Sequence, residues 1–346
     1  MTHSKNPVKQ LLHKNNIHRN GYDFTALTLA HPALSAHVII NKFNQQQTID
    51  FSKPHAVKAL NTALLKHHYQ IKQWDTPAGY LCPAIPGRVD YIHYLAELLS
   101  STSFPASVKK TVINALDIGT GSGAIYPLLA HKIYDWNVVC SEIDPKSIQS
   151  AKENIEKNEL EQSITLRPQP EEKHIFRGII QPDEFYHISL CNPPFHKSFE
   201  EANAGTKRKW ENLNGKKSPK HSSNANSDKT ADQRSEKNLD KDSGNHEVKS
   251  TKKAPLNFGG QHAELWCAGG EVAFIRNMIH ESKFVRHQVL WFTCLVSKKD
   301  HLGDVKLALK KAKVKQRKVI KMAQGNKVSR FVAWSFFDEK GQKGEK

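Results

Sequence analysis

Six stretches, "TVINALDIG", "WNVVCSEID", "SITLRPQ", "YHISLCN", "HQVLWFTCLV" and "RFVAWSFF", are short, apolar and rich in β-favouring residues. Between the first pairs lie "SGAIYPLLAHKIY" and "PKSIQSAKENIEKN", each long enough for a crossover helix. Strands that are apolar throughout must be covered on both faces, and strands joined by helices run parallel, so the pattern predicts an α/β fold with a parallel sheet between two helical layers. A strand, the Lys-rich helical stretch "DVKLALKKAKV" and a last strand extend the same sheet.

The rest of the 346 residues is organised around that sheet. Residues 1–20 are polar, basic and His/Asn-rich without periodicity, and are expected to form a disordered arm. Residues 21–108 read as a mainly helical N-terminal extension. "SKPHAVKALNTALLKHHY" opens with a cap-like Ser52 and Pro54 and then spaces Val57, Leu60, Leu64 and Leu65 at helical intervals; "VDYIHYLAELL" reads the same way. Between these helices "WDTPAGYLCPAIPGR" is too rich in Pro and Gly for regular structure. The sheet domain is expected over 109–338, with a tail at 339–346. It is interrupted at about 204–256 by a polar segment holding one Trp, Trp210, and almost no other large apolar residue. Such a composition cannot bury enough surface to offset its ordering entropy, so disorder is expected there.

No apolar core of a signal peptide follows the basic N-terminus, and no run of about 18 or more apolar residues occurs, so neither export nor a membrane span is indicated. Five scattered cysteines without a CxxC pair suit a reducing compartment, and a cytoplasmic protein is expected. Fifty-one Lys and Arg against 34 Asp and Glu give a formal charge of +17, which makes a polyanion such as nucleic acid the natural partner. Despite nineteen histidines, there is no HExxH or paired His/Cys spacing and no metal is expected; neither a P-loop nor a G-x-S-x-G elbow is present.

"ALDIGTGSGAIYPLLA" has the form strand, glycine loop, helix. Gly119, Gly121 and Gly123, with Thr120 among them, allow a tight turn and close approach to a ligand. A lone glycine loop is a weak signal, but two acids sharpen it. Asp117 precedes the glycines, where an anion would repel a pyrophosphate and suit a ligand ammonium group. Glu142 ends the next strand, where a carboxylate can accept both hydroxyls of a ribose. Together they favour S-adenosyl-L-methionine, an adenosine joined to an amino acid through a sulfonium. Asp144 in "DPKS" reads instead as a helix cap.

"CNPPF" carries the second piece of chemistry. Asn192, Pro193, Pro194 and Phe195 follow the fourth apolar strand, and ligands of doubly wound folds bind at the carboxyl ends of strands. The prolines delete two N–H donors, so the turn offers acceptors only. The Asn192 amide oxygen and the Pro193 carbonyl suit the two hydrogens of an exocyclic NH2, and Phe195 offers a stacking face worth about 1 to 3 kcal/mol. The lone pair of such a nitrogen is delocalised into its ring. Acceptors out of the ring plane favour the pyramidal form, so methylation of a planar amino nitrogen is the expected reaction.

"LDIGTGSG", "SEID" and "NPPF" resemble class I S-adenosylmethionine-dependent methyltransferases acting on such nitrogens. "WDTPAGYLCPAIPGRVDYIHYL" and "GGEVAFIRNMIHES" are similar, more specifically, to the ribosomal RNA large subunit methyltransferase F family. These are bacterial 23S rRNA adenine-N6 methyltransferases related to eukaryotic methyltransferase-like protein 16. The likeness runs from about Asn20 to Phe337, apart from the polar insertion. It implies a Rossmann-like fold with a seven-stranded, mostly parallel sheet, S-adenosyl-L-methionine as cofactor, and N6 of a specific adenine in 23S rRNA or a large-subunit assembly intermediate as acceptor. It implies cofactor contacts from Arg88, Asp117, the glycine loop and Glu142, and it places Asn192 to Phe195 at the target adenine. "LRPQPEEKHIF" lacks the acidic-plus-aromatic pattern many methyltransferases use to hold the cofactor's adenine, so that contact stays unassigned. Guanine-N2 methyltransferases also resemble "NPPFH", but "PGRVDYIH" favours adenine. Protein-glutamine methyltransferases more often carry Tyr at the position of Phe195, and intact Asp117, Glu142 and NPPF argue against a non-catalytic RNA-binding assembly factor. Nothing in the sequence demands more than a monomer.

Overall fold

The computed structural model describes residues 12–102, 112–194, 267–324 and 327–338. The polar insertion at 204–256, the tail at 339–346 and Phe195 lie outside the described residues.

Helix α1 (Phe24–Ala30) and a two-stranded antiparallel sheet of β1 (Val38–Ile40) and β2 (Gln47–Ile49) come first, and the apolar runs become strands β3 (Asn114–Ile118), β4 (Asn137–Glu142), β5 (Ile164–Pro168), β6 (Tyr186–Cys191), β7 (Val289–Leu295) and β9 (Lys327–Ser335). The seventh strand of the main sheet, β8 (Gln316–Gln324), is one the apolar pattern does not show. It alternates Arg317, Val319 and Lys321 with Lys318, Ile320 and Met322, the signature of an edge strand only partly covered. Spatial order is β5-β4-β3-β6-β7-β9-β8, with β3 to β7 parallel and β9 antiparallel to both of its neighbours. Connections leave β3 on one side towards β4 and return on the other at β6. The β3/β6 boundary is therefore the crevice where such sheets bind ligands.

Two helical layers cover the sheet. On one face lie α2 (Pro54–Tyr69), α3 (Ile85–Ser100), α4 (Ile125–Tyr134) and α5 (Pro145–Glu156), which share one hydrophobic cluster with Ala115, Val138, Ile188 and Trp291. On the other lie α6 (Gly270–Ser282) and α7 (Leu302–Lys311), packed with Leu116, Phe292 and Trp334. Each fully buried Leu, Ile or Phe contributes roughly 1.5 to 3 kcal/mol. The extension helix α3 is also pinned by polar contacts: the hydroxyls of Tyr91 and Thr293 lie 2.7 Å apart, and Trp291 donates its indole N–H to Thr102 at 3.0 Å.

Two local expectations need correction. Residues 12–20 are built into the fold, with His13, Asn16 and His18 buried. The His13 N–H and the Asn16 amide donate to Asp90 Oδ1, Asn16 also donates to the Pro86 carbonyl, and the His18 ring bonds the Tyr69 hydroxyl at 2.8 Å. Their polarity serves buried partners on α2 and α3 rather than water, so composition misreads them. Burial lowers the His18 pKa to about 3, which keeps the ring neutral. Secondly, Lys53 rather than Ser52 occupies the cap position of α2, because Ser52 turns its hydroxyl to Asp50. Among the described residues, no helix is long and apolar enough to cross a membrane.

Candidate active site

The glycine loop follows β3 with Gly119 and Gly121 at φ of +69° and +68°, a region that favours residues without a Cβ. Gly123 is small for a different reason: a Cβ there would come 3.2 Å from the ring of Trp74, whose indole N–H donates to the Gly123 carbonyl at 2.9 Å. The irregular segment before α3 is thus a strap laid over the loop, and asparagine amides replace regular backbone pairing. Asn154 accepts from the Asp75 N–H and donates to the carbonyls of Asp75 and Ser122; Asn158 donates to the Gln73 carbonyl at 2.6 Å. Asn61 donates to the Pro83 carbonyl at 2.6 Å, and Lys58 pairs with Asp75. The strap leads into the first turn of α3, where Arg88 sits with its guanidinium carbon 5.4 Å from the centre of the Tyr126 ring. Asp90 braces that same turn through His13 and Asn16.

Between strap, glycine loop and β6 opens a cavity of about 590 Å³. Arg88, Gly119, Thr120, Gly121, Gly123 and Glu142 all line it, together with Asn192 and Pro194 from the end of β6. Residues more than a hundred positions apart therefore meet at the β3/β6 crevice, as the order of strands requires. Pro193 is buried and does not line the cavity.

The acids behave differently from each other. Glu142 shapes the site: Oε2 accepts from the Gly121 N–H at 2.8 Å, and Oε1 from the N–H groups of Ile143 and Asp144. Burial raises its pKa while these donors oppose the rise. Asp144 caps α5 through the Ser147 N–H and takes the Tyr80 hydroxyl at 2.9 Å. Asp117 is fully buried and does not line the cavity, contrary to the expectation that it faces the ligand directly. Neither of its carboxylate oxygens has a hydrogen-bond partner among the described residues, and the same holds for Asn192 Oδ1. Burial pushes the Asp117 pKa up to about 7; the Glu142 carboxylate adds to the rise, while the Thr120 hydroxyl and Arg88 oppose it.

Sequence reasoning missed one wall. Gln169 and residues 171–175 close the cavity opposite the glycine loop, and Phe274 and Asn277 of α6 add to it. The segment is irregular and mostly polar, so no periodicity marks it. A carboxylate holds it in place: Glu281 of α6 accepts from the N–H groups of Ile175 and Phe176, each at 2.9 Å, and of Arg177 at 3.4 Å. That pairing joins residues over a hundred positions apart and leaves no trace in local sequence.

The RNA methyltransferase family model matches residues 6–338. The chain belongs to that family. Among its relatives are proteins called ribosomal RNA large subunit methyltransferase F. The one from Colwellia psychrerythraea is 54% identical over 328 residues, covering 94% of this chain and 99% of that protein. Another from Pseudomonas entomophila is 45% identical over 332 residues, covering 96% and 95%. The catalytic domain of human Mettl16, solved in complex with a MAT2A 3'UTR hairpin, superposes with a TM-score of 0.72 at 25% identity, over 95% of this chain and 96% of that one. The N-terminal domain of human METTL16, solved in complex with SAH, shares the fold with a TM-score of 0.67 at 24% identity, over 94% and 99%. As an RNA methyltransferase, the chain uses S-adenosylmethionine as methyl donor.

The cavity fits that donor. A glycine cradle admits close backbone approach, Arg88 lines the cavity where it can meet a carboxylate, and a buried carboxylate without a partner among the described residues lies beside the loop.

Proposed function

We propose that this RNA methyltransferase methylates the N6 amino group of an adenine in 23S ribosomal RNA. The observation that carries the proposal is Asn192, which lines the cavity at the end of β6, has a buried side-chain oxygen without a hydrogen-bond partner among the described residues, and is followed by two prolines that donate no N–H. An acceptor in that state invites an NH2 group. Ribosomal RNA as substrate is supported by the relatives named above, which span nearly the whole chain.

S-adenosylmethionine supplies an electrophilic methyl group on its sulfonium. On the protein side, Arg88 would pair with the donor's carboxylate, Asp117 would balance its ammonium charge, the Gly119–Gly123 loop with Thr120 would cradle its amino-acid portion, and Glu142 would receive its ribose hydroxyls. Asn192 Oδ1 accepts one hydrogen of the target amino group and holds the nitrogen out of conjugation with the ring. Pro193 and Pro194 keep competing donors away from it, and Phe195 is assigned the stacking face under the base. Such placement spends binding on the transition state. The methylated nitrogen then carries two hydrogens and a positive charge, so one proton leaves readily and no strong base is needed.

Residues 21–108 are assigned as an extension that supplies both cofactor and RNA contacts to a methyltransferase domain at 109–338. Leu81, Pro83 and Arg88 of the extension already line the cavity. The test is to incubate the protein with labelled S-adenosylmethionine and rRNA from a strain lacking the gene, then digest to nucleosides. Label in N6-methyladenosine is expected; label in N2-methylguanosine would make guanine the target and refute the assignment.

A further inference from the structure

The two edges of the sheet carry their charge in opposite ways. At the β5 edge most cations are neutralised locally: Lys152 pairs with Glu156, Lys157 with Glu153, Lys72 with Glu159, and Arg167 with Glu184, while Lys146 stays unpaired among the described residues. From Lys298 to Lys321, along α7 and β8 at the other edge, ten Lys and Arg face only two carboxylates, Asp300 and Asp304. All ten are exposed, and none forms an ion pair among the described residues.

Lys318 turns to the α3 side, over the Trp291 ring, whereas Arg317 and Lys321 share the α7 side. Lys306 and Lys310, four apart on α7, share one side of the helix. On β8, Ile320 and Met322 pack into the core layer of α3, so Arg317 and Lys321 point to the opposite side, where Val305 and Leu309 of α7 pack against Val332 and Trp334. The face is also tied to the cavity. β7 runs parallel to β3 and β6, so its end delivers Lys298 and Lys299 to the rim where the cavity opens. β8 is antiparallel to β9, and so is directed like β7, which brings Lys321 to the same rim. The turn bearing Lys298 is fixed to α6, because Glu271 accepts the Ser297 N–H at 2.7 Å and bonds the His301 ring. Phe274 and Asn277, on that same helix, wall the cavity.

Lysine on an edge strand also deters edge-to-edge aggregation. That explains the cations of β8 but not those of α7, which has no open edge, and the β5 edge is left without the same device. We infer that the α7/β8 face is the track on which the RNA backbone lies while its target base enters the cavity. Unpaired cations in a row release counterions when phosphates replace them, which is chemistry suited to a polyanion. The inference rests on RNA being the substrate.

The test uses the full-length protein, an rRNA fragment that the wild type methylates, and the variant Lys306→Gln/Lys310→Gln/Arg317→Gln/Lys321→Gln. A control, Lys72→Gln/Lys152→Gln/Lys157→Gln, removes paired cations at the other edge. The slope of log affinity against log salt is about 0.7 to 0.9 per phosphate contact, so the first variant should flatten it by about 3 while the control leaves it unchanged. KM for RNA should rise at least tenfold, with kcat at saturating RNA and affinity for the cofactor unaltered. An unchanged slope, an equal loss in the control, or a fall in kcat or cofactor affinity without a change in RNA binding overturns the inference. A wild type that binds the fragment but methylates nothing defeats the functional reading instead, and the slopes still decide whether this face holds RNA.

Discussion

The buried polar groups around the cavity fall into two sets that differ in how they are satisfied. Two carboxylates are committed: Glu142 accepts three backbone N–H groups and Glu281 accepts three more. At Asp117 and Asn192 the oxygens have no partner among the described residues. Buried polar groups are nearly always paired, and leaving one unpaired costs about 1 to 3 kcal/mol. The first set holds the cavity in shape, whereas the second is strained until a ligand supplies donors. Substitutions in the first should therefore cost stability, and those in the second should cost binding or turnover.

The largest expected effect tests the orphaned side. Asn192→Ala should lower kcat by about a hundredfold to a thousandfold, the cost of losing one preorganised polar contact to the transition state. Cofactor affinity by calorimetry and melting temperature should hold; a loss of cofactor binding would mean the residue belongs to the other set.

Next comes Asp117, where the sign is decided by protonation. Its folded pKa of about 7 lies above the ordinary value, so between about pH 4 and pH 7 the unfolded chain releases a proton that the fold retains. Stability of the ligand-free protein should fall as pH rises across that window, by roughly 4 kcal/mol in total. Asp117→Asn should flatten the dependence and stabilise the protein at pH 8. A ligand ammonium favours the ionised form, so cofactor affinity should weaken below pH 7 in the wild type and lose that dependence in the variant. Denaturant melts and calorimetry across pH read both.

On the committed side, Glu281→Ala leaves three N–H groups without their acceptor and should cost about 2 to 3 kcal/mol of stability. It should also loosen the wall at 169–175 and weaken cofactor binding, with kcat at saturating donor little changed. Smallest of the series is Trp74→Phe, which keeps the ring over Gly123 but removes the N–H donated to its carbonyl. A loss of about 1 kcal/mol in denaturant unfolding is expected; no loss at all would mean that packing alone seats the strap.

Much of this arrangement was legible in the chain. Six of the seven sheet strands and the helices around them follow from local apolar runs, because burial on both faces demands continuous apolarity. The Gly119–Gly123 loop and the Asn192–Pro194 turn carry their conformational needs in their own residue types. What was not legible depends on partners distant in sequence. His13, Asn16 and His18 look solvated yet are buried, since Asp90 takes the His13 N–H and the Asn16 amide and Tyr69 takes the His18 ring. β8 hides because only one of its faces is apolar, and the wall at 169–175 hides because its order comes from Glu281.

The sequence by itself determined the class of chemistry. A glycine loop, two acids placed around it and an Asn-Pro-Pro turn that lacks two backbone N–H donors are statements about backbone freedom and hydrogen-bond capacity, which are local properties. Only the tertiary structure decided which acid is architecture and which is left unpaired, that Pro193 is buried off the cavity wall, and that Lys298, Lys299 and Lys321 reach its rim. Satisfaction and placement are relations between atoms brought together by the order of strands, and no single stretch of chain contains them.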